Sequence, residues 1–139
     1  MAPHILVIHD DDHTLELVCG LLADTGYDVV TRSRASLRMR ELAQNAPDLI
    51  VLDWLAGHEA EGWQLFKWVK YYPPTAAIPV VVCAAATPRV QAVAGFLRTQ
   101  GVVLVDHPVT RAVLHAAIAG ACKLDAGVTA RAVGAEGPE

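Results

Sequence analysis

The sequence predicts an α/β fold, a doubly wound five-stranded parallel sheet with helices on both faces. Three observations predict it. Short apolar runs such as Ile5 to Ile8, Leu49 to Leu52 and Pro79 to Ala84 are continuous, as strands covered on both faces require. Segments with helical spacing separate them, and strict alternation of strand and helix is the signature of a parallel sheet. Two of the runs end on acids, at His9-Asp10 and at Asp53. That places carboxylates at the carboxyl edge of neighbouring strands, where open sheets bind ligands and ions.

The elements follow in order. After the first strand, Asp11 or Asp12 can cap a helix with Leu15, Val18 and Leu22 on one face, and Gly26 can end it in a left-handed conformation. Tyr27 to Thr31 is the second strand. Ser33 is placed to cap the second helix, with Ala35, Met39, Leu42 and Ala46 inward and a stop before Pro47. Asp48 leads into the third strand, which ends at Asp53. A polar loop runs to Gly62, and the third helix covers Trp63 to Lys70 with Leu65, Phe66 and Val69 on its core side. The fourth strand is Pro79 to Ala84, and Thr87-Pro88 opens the fourth helix, which runs to Gly101. Val102 to Val105 is the fifth strand. The last helix starts near Thr110, turns Val113, Leu114, Ala117 and Ile118 to one side, and ends around Gly120 to Lys123. Residues 1–123 therefore read as one domain, and 124–139, without periodicity, as a flexible C-terminal tail.

Length and composition bound the function. A chain of 139 residues with 53% hydrophobic and 19% charged residues fits one compact core. The net charge of -4 and the lack of a Lys/Arg block argue against nucleic acid as a partner. Arg32, Arg34, Arg38 and Arg40 cluster locally and read as a solvated face. No apolar run approaches the roughly 20 residues of a membrane span, and no signal peptide is visible, so a cytoplasmic location is expected. Cys19, Cys83 and Cys122 lack metal or redox spacing and read as reduced thiols. Nucleotide-binding loops and the nucleophile elbow of hydrolases are absent, and Asp11-Asp12-His13 fails the cobalamin pattern because Glu16 holds the glycine position. The chain does not read as an enzyme.

The strand ends in order are His9-Asp10, Asp53, Ala84 and His107-Pro108. With I-L-V-I-H-D-D-D, P-D-L-I-V-L-D, I-P-V-V-V and D-H-P, they make a chain that resembles the receiver domain of bacterial two-component response regulators over about residues 4–122. The resemblance implies a flavodoxin-like fold of receiver type and a function in phosphorelay signal transduction. Asp53 matches the phosphoacceptor, which takes a phosphoryl group from a phosphohistidine of a histidine kinase or phosphotransfer protein. Asp10, Asp53 and the backbone carbonyl of Leu55 match the Mg²⁺ ligands; a cation is needed because nucleophile and phosphoryl group are both anionic.

The chain departs from the family at several positions. His9 replaces the first acid of the acidic pair and is itself a possible metal ligand. Ala84 stands at the Ser/Thr position, His107 at the lysine position, and Leu104 where the family has an aromatic residue. The loop Ala56 to Glu61 lacks the family's proline and is too long by about one residue. A second reading is therefore a degenerate receiver that acts as a phosphorylation-independent interaction module toward an unidentified downstream protein. The face of the fourth helix, fifth strand and fifth helix, with Val90, Phe96, Ala112, Ala116 and Ala119, could pair two copies. Trp63, Trp68, Tyr71 and Tyr72 offer another surface. A third reading makes His9, Asp10, Asp53 and His107 a nitrogen and oxygen pocket suited to a transition metal, or a pH-responsive site.

Overall fold

The computed structural model describes residues 3–9, 12–23, 26–33 and 37–133, with side chains described throughout except at 12–15, 17 and 123–133. Strands β1 (His4–His9), β2 (Asp28–Ser33), β3 (Leu49–Trp54), β4 (Val80–Ala84) and β5 (Val103–Asp106) alternate with helices α1 (Asp12–Leu22), α2 (Met39–Asn45), α3 (Glu59–Tyr71), α4 (Pro88–Thr99) and α5 (Arg111–Val133). All pairings are parallel, in the order β2-β1-β3-β4-β5. This is the expected doubly wound sheet. The order reverses between β1 and β3, and the crevice beyond the carboxyl ends at such a point is where this kind of sheet binds ligands.

The two-residue period of the strands divides the core in two. Leu6, Ile8, Ile50, Leu52, Val80 and Val82 meet Leu42 of α2, Leu65, Phe66 and Val69 of α3, and Val90 and Leu97 of α4. On the opposite face, Ile5, Val7, Leu49, Val51, Val81 and Cys83 meet Val18 and Leu22 of α1 and Leu114, Ala117 and Ile118 of α5. Complete burial of a side chain such as Phe66 or Ile118 contributes about 1.5–3 kcal/mol. These two layers hold the strand ends level, with Asp53 in register with Cys83, and Ala84 with Asp106.

Local signals set most boundaries. Gly26 has φ +84°, the left-handed conformation expected after α1. Thr87 is extended and its Oγ1 accepts the Val90 N–H at 3.3 Å, with Pro88 opening α4. Thr110 does the same for α5, accepting the Val113 N–H at 3.2 Å. Cys83 is buried, Cys19 and Cys122 are half-buried, and none of the three is in a disulfide.

Several expectations are corrected. Ser33 does not cap α2: it closes β2, and the helix begins at Met39 behind Arg38, whose side chain makes no cap bond. Ala46 is not inward but is the exposed left-handed C-cap, φ 39°, because the residue two before Asp48 must break the helix ahead of Pro47. Ala35 lies outside the described residues. Helix α3 starts at Glu59, a turn earlier than Trp63, since Glu59 and Glu61 suit the positive end of a helix. Gly62 is thus inside the helix, where an added Cβ would lie 2.6 Å from the Trp54 ring. Val113 is 49% exposed instead of inward. Finally, α5 does not stop at Gly120 to Lys123 but continues to Val133, through an alanine-rich stretch without proline that favours helix despite Gly127. Residues 134–139 of the expected tail lie outside the described residues.

Candidate functional site

The last residues of β3 bring Asp53 to the carboxyl edge, on the face of Leu49 and Val51 by alternation. Burial on both sides leaves its side chain only 3% exposed. A carboxylate this enclosed needs a partner. His107, just past β5, supplies it: its Nε2 lies 3.1 Å from Asp53 Oδ1. The backbone fixes the ring's origin, for the His107 N–H donates to the Ala84 carbonyl at 3.0 Å. The bond to Asp53 raises the His107 pKa, opposed by the ring's partial burial and reinforced by the Asp53 charge. The pair is a carboxylate facing an imidazole held toward its protonated form, a charge-assisted bond. The same carboxylate, together with burial, pushes the Cys83 thiol up to about 12, with burial the larger cause. Cys83 is therefore an inert neighbour.

Ala84 is fully buried and ends β4 on the α2–α4 side of the sheet. It brings no hydroxyl to Asp53; its contribution is the carbonyl that holds His107. Leu104 is half-buried and packs on the same side of the core. Neither residue can act in a hydroxyl-to-aromatic relay, as its chemistry in the sequence already implied.

A hard divalent cation takes oxygen ligands. Asp53 Oδ2 is not the atom bound by His107, and the Leu55 carbonyl accepts the His58 N–H at 2.8 Å while keeping a second lone pair. These two donors fit Mg²⁺ by chemistry. Asp10, the third implied ligand, lies outside the described residues. His9 is 4% exposed, and its Nδ1 has no hydrogen-bond partner among the described residues. It is not a surface histidine. Among the described residues no group of three or more His, Cys, Asp or Glu side chains is placed to hold a metal.

The proposed pairing face is altered by the structure. Val90 is buried at 2% and belongs to the core, whereas Phe96, Ala112, Ala116 and Ala119 are exposed and Val113 joins them. On α3, Trp68 and Tyr71 are exposed, while Trp63 is half-buried among Trp54, Phe66 and Phe96.

Sequence reasoning missed Glu59. It stands in a segment read as polar loop, yet its side chain is buried and its Oε2 accepts from Thr87 Oγ1 at 3.0 Å. Its own backbone N–H and that of Gly57 hold the carboxyl below the ordinary carboxylate range, and the Thr87 hydroxyl adds to this. Nothing local in the sequence separates Glu59 from its neighbour Glu61; only the meeting of two loops does.

Comparison with known proteins shows the family. A family profile described as the response regulator receiver domain matches residues 5–119. The nitrogen assimilation regulatory protein NtrX of Azorhizobium caulinodans is 37% identical over 83 residues, 59% of this chain and 18% of that protein. The phosphate regulon transcriptional regulatory protein PhoB of Escherichia coli is 35% identical over 85 residues, 61% of this chain and 37% of that protein. The match thus spans well under half the length of these relatives. Among solved structures, the signal receiver domain of a signal transduction histidine kinase from Syntrophus aciditrophicus superposes with a TM-score of 0.70 at 26% identity, over 91% of this chain and 92% of that one.

Proposed function

The chain belongs to the response regulator receiver domain family, and from that premise we propose that Asp53 is the residue through which it accepts a phosphoryl group. The observation that carries the proposal is the buried Asp53 carboxylate at the end of β3, 3.1 Å from the His107 imidazole just past the end of β5. A carboxylate oxygen of Asp53 attacks phosphorus of a phosphohistidine; the P–N bond breaks with its electron pair returning to the donor imidazole, and an acyl phosphate forms. The donor is a histidine kinase or a phosphotransfer protein. Asp53, the Leu55 carbonyl and Asp10 would hold Mg²⁺, which when bound offsets the charge of the nucleophile and the phosphoryl group.

His107 has two parts in this scheme. It shields the resting carboxylate, and as an imidazolium it stands in for the ammonium that would pair with the acyl phosphate. It must first leave Asp53 Oδ1. A receiver with this bond and without a hydroxyl at Ala84 is expected to be a slow acceptor, since each lost donor costs about a hundred- to a thousand-fold.

The exposed face of α4, β5 and α5, with Phe96 and Val113, supports pairing with a second copy or a downstream protein. No helix among the described residues is long and apolar enough to cross a membrane, in keeping with the cytoplasmic location we assign. Incubation with Mg²⁺ and acetyl phosphate, followed by intact-mass measurement, tests the acceptor role. A phosphoryl adduct is expected on the wild type and not on Asp53→Asn. No adduct on either would leave the phosphorylation-independent interaction module.

A further inference from the structure

The family's relay from acceptor to surface needs a hydroxyl at the end of β4 and an aromatic side chain on β5, and here these positions hold Ala84 and Leu104. A signal from Asp53 therefore needs another path. One side chain joins the loop that follows the acceptor to the helix that follows β4. Glu59 lies six positions beyond Asp53, at the start of α3, with 8% of its surface exposed. Its carboxylate takes the Gly57 N–H, inside the β3–α3 loop, and the Thr87 hydroxyl, at the entry of α4. Thr87 is at the same time the cap of α4, through the Val90 N–H at 3.3 Å.

We infer that Glu59 couples the acceptor site to α4: it ties the β3–α3 loop to the first turn of α4 and transmits to α4 a shift of that loop on phosphorylation. The inference rests on Asp53 being the acceptor. The chemistry suits a link of this kind. A buried carboxylate bound by fixed backbone N–H groups has no freedom to follow only one of its partners, and hydrogen bonds to a charged group are about twice as strong as neutral ones. If the β3–α3 loop closes on an acyl phosphate, Gly57 and Glu59 move together, and the Thr87 hydroxyl must either follow or be released. Either outcome changes the cap of α4. That helix carries Phe96 on the exposed face, so the change reaches a surface a partner can read.

The test combines two readouts on the full chain. Intact mass reports the adduct on Asp53, and hydrogen exchange reports the amides of residues 88–97 with and without acetyl phosphate and Mg²⁺. Wild type is expected to take the adduct and to change α4 exchange. In Glu59→Ala the adduct should still form, the resting exchange of Val90 and Gln91 should rise about tenfold, as for one lost charge-assisted bond, and the response of α4 should vanish. Glu59→Gln, which keeps an oxygen for the Thr87 hydroxyl, should restore the response in part and guards against a folding defect in the alanine variant. An α4 response equal to wild type in Glu59→Ala overturns the inference, as does unchanged resting exchange of Val90 and Gln91. No adduct on wild type overturns the acceptor role and transmission with it, whatever the exchange data say of the resting link.

Discussion

Two buried carboxylates stand at the same edge of the sheet, and their surroundings differ. Asp53 is paired with one imidazole that reaches it from a loop, whereas Glu59 is bound by two backbone N–H groups and a threonine hydroxyl. The first pair depends on the protonation and rotamer of His107, a side chain with 32% of its surface exposed. The second depends on backbone that cannot turn away. The acceptor role proposed for Asp53 needs a carboxylate that can exchange its partner, the linking role inferred for Glu59 needs one that keeps its donors, and the difference in donors fits the two roles although both are nearly excluded from water.

The largest effect is expected from giving Asp53 fixed donors of its own. The double change Ala84→Thr with His107→Lys should raise the rate of phosphorylation by acetyl phosphate about a hundred-fold or more, read by intact mass against time. A rate equal to wild type would count against this placement of the site. Next in size is Gly62→Ala, which puts a Cβ against the Trp54 ring at 2.6 Å and forces α3, with Glu59 on its first turn, away from β3. A loss of about 1–3 kcal/mol in denaturant unfolding is expected. An unchanged midpoint would mean that the indole yields instead of the helix.

The two groups respond to pH in opposite senses. The folded pKa of His107 is raised by its bond to Asp53, so its stabilisation is complete below the ordinary histidine value and is lost as pH rises through the raised one. The carboxyl of Glu59 is lowered by the backbone N–H groups of Glu59 and Gly57, so its stabilisation is present above the ordinary carboxylate value and is lost as pH falls through the lowered one. NMR titration of the His107 ring should give a pKa above that of a free histidine in wild type and a value nearer the free one in Asp53→Asn. The same value in both would refute the pair. The smallest effect is expected from Thr87→Ser, which keeps both the donor to Glu59 and the cap of α4: stability within about 0.5 kcal/mol of wild type. A larger loss would point to packing of the threonine methyl.

Much of this was legible from the chain. Continuous apolar runs separated by helical periods identify a doubly covered parallel sheet, because only strands buried on both faces lack alternation. Capping at Thr87 and the positive φ of Gly26 were readable for the same reason: each depends on residues within a few positions. Asp53 was legible as a strand-end acid inside a specific motif. The start of α2 was not, since Ser33 is as good a cap in isolation as Arg38 is a poor one, and the extension of β2 beside β1, with His9 in register with Ser33, overrode it. Nor was the depth of α3's first turn, where a glutamate that looks solvated is drawn inward by a threonine 28 residues away.

The class of fold, the identity of the carboxylate at the end of β3 and the missing hydroxyl and lysine around it are properties of local pattern and residue type, and so were legible in the chain. The tertiary structure decided which groups meet: His107 on Asp53, its backbone on Ala84, Glu59 on Thr87, and Gly62 under Trp54. The physical reason is that hydrogen bonds and contact distances act over a few ångströms, and only the register of parallel strands brings residues so distant in the chain within that reach.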